Sequence, residues 1–371
     1  MINKKKVQEV LNNVYLNGHK TSIIENNFVK NIIIFNNEVE IDIDINHPTL
    51  HVKKKLENDI IEQIKKLSND IKIKLRIKVI SKKNTLNETI SGKKLENIKN
   101  IIAIASGKGG VGKSTITSNI AISLNRLGFK VGVLDADIYG PSQHIMFDVE
   151  KSKPTVKTIK NKSVIVPVLS YGIKLLSIGF FTNNSQALVW RGPMATKALN
   201  QLINDSDWGN LDYLLVDLPP GTGDIHLSLI QSVSVTGAVI VSTPQNIALA
   251  DAKKGVKMFQ YENINIPIIG LIENMSYFIS DNTNNKKHYI FGKDGVKNLS
   301  DDLNLNFLGE VPLSTSIRES SDVGHPTALQ ENSENSKIFH NLAKSIVNKV
   351  NYRNKNLEPS KIVKIKNMDG C

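Results

Sequence analysis

Cysteine is all but missing from this chain: there is one in 371 residues, Cys371, at the last position. A single thiol cannot close a disulfide within the chain, and a metal site built from several cysteines of one chain is excluded. Aromatic residues make up 6% of the sequence, and no apolar run approaches the roughly 18 residues that a membrane-spanning helix needs. Lys4, Lys5 and Lys6 are not followed by the apolar stretch of a secretion signal, so a cytoplasmic protein is expected. Positive charge is plentiful instead, with 47 Lys and Arg against 35 Asp and Glu, net +12. Residues 1–99 hold 19 of the basic residues against 12 acidic ones, but no interleaved aromatics that would stack bases. The charge therefore reads as solvated surface, and neither nucleic acid nor membrane is expected as a partner. Forty per cent hydrophobic residues over this length suffice for a real core and about two domains.

Periodicity divides the chain into an expected small α+β domain at 1–80, a polar linker at 81–100, a larger domain at 101–350 and a tail at 351–371. In the first, helical spacing at 5–15 and 50–67 and strand patterns at 29–35, 38–45 and 71–80 predict helix-strand-strand-helix-strand. His47 and His51 lie four apart, but Pro48 stands between them and no third ligand is evident, so surface histidines are expected. From residue 101 onward, apolar strands alternate with helical patterns. That predicts an α/β fold with right-handed crossovers and a mostly parallel sheet. Residues 154–176 suggest a β-hairpin insertion with turns at Asn161 and Gly172.

The chemistry is concentrated between the apolar strand at 101–104 and the helix that begins near residue 116. There stand Gly107, Lys108, Gly109, Gly110, Val111, Gly112, Lys113, Ser114 and Thr115. This is a phosphate-binding loop: glycines let successive N–H groups turn toward one anion, and the new helix adds its positive end. Lys113 is expected on the β- and γ-phosphates of ATP, and the Ser114 hydroxyl on Mg2+. A second apolar strand at 213–216 ends in Asp217, a carboxylate placed at a strand tip to reach the Mg2+ shell. A strand at 130–134 ends in Asp135-Ala136-Asp137-Ile138-Tyr139-Gly140-Pro141-Ser142, which sets acids where α/β sheets hold their sites.

Lys108 together with Lys113 resembles the deviant Walker A group of P-loop NTPases (SIMIBI type), which includes MinD, ParA and the Mrp/ApbC iron-sulfur carriers. The run from Asp135 to Ser142, the segment Trp190-Arg191-Gly192-Pro193, the run Pro219-Pro220-Gly221-Thr222-Gly223-Asp224 and Glu273-Asn274-Met275-Ser276 all resemble the Mrp/ApbC branch. The resemblance implies a homodimer in which Lys108 reaches the partner's phosphates, Asp137 places the attacking water and Asn274 contacts adenine. It assigns Asp135 a supporting charge, and leaves Arg191 and Asp224 open between phosphate or partner contacts and structural roles. It further implies an Mg-dependent ATPase that loads iron-sulfur clusters onto apoproteins with the help of assembly factors. The front domain loosely resembles the iron-sulfur assembly domain that precedes many such carriers.

The pattern breaks at the cluster. The family holds Cys-x-x-Cys after the Asn274 segment, whereas Ser280 and Thr283 stand at those places, and hydroxyls are poor ligands for cluster iron. Cys371 from two protomers, completed by His288 or a borrowed ligand, is one expected rescue. Partner cysteines, or an ATPase chaperone without a cluster, are the others. A MinD- or ParA-like positioning ATPase that binds membrane or DNA is the rival from another class.

Overall fold

The computed structural model describes residues 4–16, 21–35, 38–45, 50–68, 70–79, 95–159, 161–181, 192–280 and 286–363. His47, Arg191, Thr283, Cys371 and most of the expected linker lie outside them, as do the side chains of His51 and Asp224. The chain forms two compact units, Met1–Ile90 and Ser91–Cys371.

The first unit runs α1 (Lys4–Leu11), β1 (Val29–Phe35), β2 (Glu38–Ile45), α2 (Leu50–Lys65) and β3 (Lys72–Val79), the order its periodicity predicts. Helix α1 stops at Leu11, short of the expected residue 15, because the chain turns at Asn12 and Asn13 and Tyr15 bridges to Ser22 instead. The sheet order is β1-β2-β3, antiparallel then parallel. Every second residue of β2 is buried (Val39, Ile41, Ile43, Ile45) against Leu56, Ile60 and Ile64 of α2. On the other face Glu38, Glu40 and Asp42 stand opposite Lys72, Lys74 and Arg76, and this charge alternation helps hold the register.

The second unit opens with β4 (Ile98–Ser106), α3 (Lys113–Arg126), β5 (Val131–Asp135) and α4 (Gln143–Met146). A hairpin of β6 (Thr155–Ile159) and β7 (Lys162–Val166) is followed by β8 (Val168–Ser170) and β9 (Ile173–Ser177). Next come α5 (Gly192–Asn204), β10 (Leu211–Asp217), α6 (Asp224–Ser232), β11 (Gly237–Ser242), α7 (Asn246–Gln260) and β12 (Ile268–Asn274). The unit closes with the short strands β13 (Phe278–Ile279) and β14 (Lys287–His288), then α8 (Gly295–Asp302), β15 (Phe307–Val311), α9 (Thr315–Asp322) and α10 (Glu334–Asn356).

Eight strands form one sheet in the order β15-β12-β11-β4-β10-β5-β9-β8, parallel except for the edge pair β8/β9. Alternation along β4 sends Ile101, Ala103 and Ala105 into a core covered by α5, α6, α7 and α8. It sends Ile102 and Ile104 into a core covered by α3 and α10. Burial on both faces explains why these strands read as unbroken apolar runs.

Three of the differences from expectation in this unit have a visible cause. Strand β4 starts at Ile98, not residue 101, because Asn100 is buried and donates to the Asp212 carbonyl, a strand position hidden by its polarity. Helix α10 continues to Asn356, past residue 350, since Arg353 is buried and Asn354 donates to Asn100. The expected insertion at 154–176 is two hairpins, turning at Asn161 and Gly172, and the second supplies β9 to the main sheet beside β5. Among the described residues no helix is long and apolar enough to cross a membrane.

Candidate functional site

Parallel packing sets the C-terminal ends of β4, β5 and β10 side by side, with Asp217 in register with Ile104 and Asp135. The loop from Gly107 to Gly112 leaves β4 at that edge and enters α3. Gly112 takes φ +78°, and a Cβ there would fall 2.2 Å from the Asn274 amide nitrogen. Only glycine fits both demands. Asn274 is buried and donates to the Val111 carbonyl at 2.8 Å, so it is fastened to the loop that it faces.

Three oxygen groups converge on the Lys113 ammonium. Its Nζ lies 2.6 Å from Asp217 Oδ1, 3.7 Å from Asp137 Oδ2 and 3.5 Å from the Ser114 hydroxyl. Thr117, one turn along α3, donates to the same Asp217 oxygen at 3.2 Å. The position is therefore already occupied by a cation. A carboxylate and a hydroxyl around it are hard donors of the type that Mg2+ takes, so the residues present fit that ion. A cavity of about 230 Å³ opens over them, lined by Ser106 and residues 108–115 with Asp137, Ser142, Met146 and Pro220. Two wider clefts of about 450 and 440 Å³, one between α7 and α8 and one beside Trp208, hold no such convergence. Lys108 stands half-buried at the cavity and makes no ion pair among the described residues.

Asp135 is fully buried and organises the loop that carries Asp137. It accepts from the backbone N–H of Asp137, Ser142 and Gln143 and from the Ser177 hydroxyl. Burial, with the Asp217 charge behind it, pushes its carboxyl up to about 7. Asp137 also rises, through burial, while the Lys113 charge opposes the shift. Helix α6 brings in His226, which is buried with neither ring nitrogen in a well-formed hydrogen bond, although the Gly223 and Pro219 backbones lie nearby. Burial chiefly, and Lys113 in part, depress it to about 4.

This depression sets a pH dependence. Below about 6.5 the unfolded chain takes up a proton that the folded chain refuses until about 4, so stability falls as pH drops through that window. The expected loss is about 3 kcal/mol, and in His226→Gln the melting point should differ less between pH 7.5 and 5 than in the wild type. An identical acid shift in both proteins would exclude His226 as its source.

Gln143, Thr117 and His226 carry no motif of their own in the sequence. Thr117 could have been found from its i+4 spacing to Lys113 on α3.

Strands β13 and β14 pair as a hairpin, Phe278 with His288 and Ile279 with Lys287. Lys287 sits 3.7 Å above the Tyr277 ring and 2.7 Å from Glu310, which fastens the hairpin to β15. His288 is exposed, and no group of three or more His, Cys, Asp or Glu among the described residues is arranged to hold a metal.

The sequence pattern of the NUBPL iron-transfer P-loop NTPases matches residues 97–347, and that of an iron-sulfur cluster assembly protein matches residues 4–75. An iron-sulfur cluster carrier protein of Aquifex aeolicus is 48% identical over 254 residues, 68% of each chain. One from Synechocystis is 39% identical over 330 residues, covering 89% of this chain and 92% of its own. Among solved structures, a nucleotide-binding protein from Archaeoglobus fulgidus in complex with ADP superposes with a TM-score of 0.55 at 36% identity. That match covers 65% of this chain and 91% of the other.

Proposed function

The chain belongs to the NUBPL iron-transfer P-loop NTPase family, and from that membership we propose an ATP-hydrolysing iron-sulfur carrier and assembly factor that works as a cytoplasmic homodimer. The observation that carries the catalytic half is the meeting of Lys113, Asp217, Asp137 and Ser114 under the phosphate loop. In this reading the N–H groups of residues 107–115 cradle the phosphates, and Lys113 leaves Asp217 to pair with the β- and γ-phosphates. Asn274, held against Val111, borders the adenine. Ser114 and Asp217 would hold Mg2+, which would neutralise charge on the phosphate oxygens. Asp137 orients a water whose oxygen bonds to the γ-phosphorus as the bond to the ADP oxygen breaks, and it accepts the proton released. Lys108 adds its charge from the partner protomer.

The cargo is an iron-sulfur cluster destined for apoproteins, but this chain offers few ligands of its own. Two copies of Cys371 supply two thiolates per dimer, which suits a two-iron cluster whose remaining ligands come from elsewhere. Anaerobic reconstitution with iron and sulfide tests this. The expected result is visible absorbance and bound iron in the wild type, both lost in Cys371→Ser. Iron in neither protein would leave an ATP-driven chaperone of cluster assembly, the reading that the Lys287-fastened hairpin favours.

A further inference from the structure

One buried residue touches the Ser114 end of the phosphate loop, Asp217 and Asp135 together, although it lies outside the motifs that carry those residues. Gln143, the first residue of α4, is fully buried. Its backbone N–H donates to Asp135 Oδ2 at 3.0 Å. Its side-chain nitrogen donates to Asp217 Oδ2 at 2.8 Å and to the Ser114 carbonyl at 3.0 Å. Both amide hydrogens are thereby used, and a flipped amide would set its oxygen against two acceptors, so the orientation is fixed by the network. The amide oxygen left over is buried without a hydrogen-bond partner. Buried acceptors are seldom left so, which marks a place for a donor that arrives with a ligand or its water.

We propose that Gln143 is a positioning residue for Mg2+, holding the Asp217 carboxylate and the Ser114 backbone at the metal site and tying both to the loop that carries Asp137. The inference rests on the ATPase reading above. Asp217 presents one oxygen to Lys113 and Thr117 and the other to Gln143. When Lys113 turns to phosphate, Gln143 and Thr117 remain to hold the carboxylate. Asp135 grips the 137–142 loop at both ends and grips the Gln143 backbone with the same oxygen that holds Ser142. A change in that loop therefore reaches Asp217 through one rigid amide. Orientation of a ligand by a hydrogen-bonded outer residue is a common means of tuning metal affinity.

The test is equilibrium binding of a fluorescent ADP analogue to the full chain, in excess Mg2+ and in EDTA. It compares wild type with Gln143→Met, which keeps the shape and loses the donors, and with Gln143→Glu, which replaces donors by acceptors. The variants should bind within about twofold of wild type in EDTA but lose roughly tenfold or more of the tightening that Mg2+ gives, and should melt lower than wild type because the buried Asp217 carboxylate loses a donor. Equal weakening with and without Mg2+, or no weakening, would overturn the proposal and leave the ATPase reading standing. Failure of both variants to fold would make Gln143 a structural residue and overturn it as well. Wild-type binding indifferent to Mg2+ would overturn the ATPase reading and this proposal together.

Discussion

Gly107→Ala should melt far below the wild type and accumulate poorly as soluble protein, although it adds one methyl group. A Cβ at position 107 would lie 2.2 Å from the Asp251 carbonyl carbon and 2.4 Å from the Ala252 backbone nitrogen. These are backbone atoms of α7, which is itself seated on the core through Ala252, Val256 and Phe259. No side chain can swing aside, so either the helix or the phosphate loop must move. A loss of about 4 kcal/mol is expected, which for a unit of this size is a fall of roughly 10 °C in melting temperature. Gly109→Ala is the control, since its Cβ would meet nothing nearer than Pro220 Cγ at 3.8 Å. Similar melting of the two variants would mean that α7 does not press on the loop.

Lys113→Ala should lower phosphate release by about 10³-fold, the scale on which removing one preorganised charge from a reacting phosphate acts. A second effect separates this variant from a simple loss of substrate contact. Lys113 is 6% exposed at its side chain and Asp217 is 0% exposed, so the substitution strands a buried carboxylate. Breaking such a pair typically costs about 3–5 kcal/mol. The nucleotide-free variant should therefore melt lower than wild type, and added Mg2+ should recover part of the loss by replacing the missing cation. Full activity in Lys113→Ala, measured by phosphate release, would remove the hydrolytic reading. A melting point unaffected by the substitution would show that the pair with Asp217 contributes little to stability.

How legible these features are in the sequence follows from how local they are. The phosphate loop is contiguous, and each residue from Gly107 to Thr115 acts through its own backbone or through a neighbour on α3, so spacing alone locates it. Asp217 is legible because a strand tip is a fixed address in a parallel sheet. Gln143 is not, since its role exists only once β5, α3 and β10 stand side by side. The turn of the second hairpin at Gly172 is legible, but its place in the main sheet is not, since nothing in the residues of β9 says that it pairs with β5. Missing cysteines could be read at once, but the Lys287–Tyr277–Glu310 fastening that accompanies the substituted segment depends on β15, more than 20 residues away.

On the ATPase reading, the 2.6 Å pair of Lys113 with Asp217 makes nucleotide entry an exchange, in which the phosphate takes the ammonium from an internal carboxylate. Part of the attraction is cancelled by the contact given up, so apparent affinity is lower than the loop's own complementarity would yield. The reverse exchange helps product leave, because the lysine has a carboxylate waiting at 2.6 Å. On that reading, occupancy of such a site follows the supply of nucleotide in its surroundings, since each exchange trades one anion for another at the same ammonium.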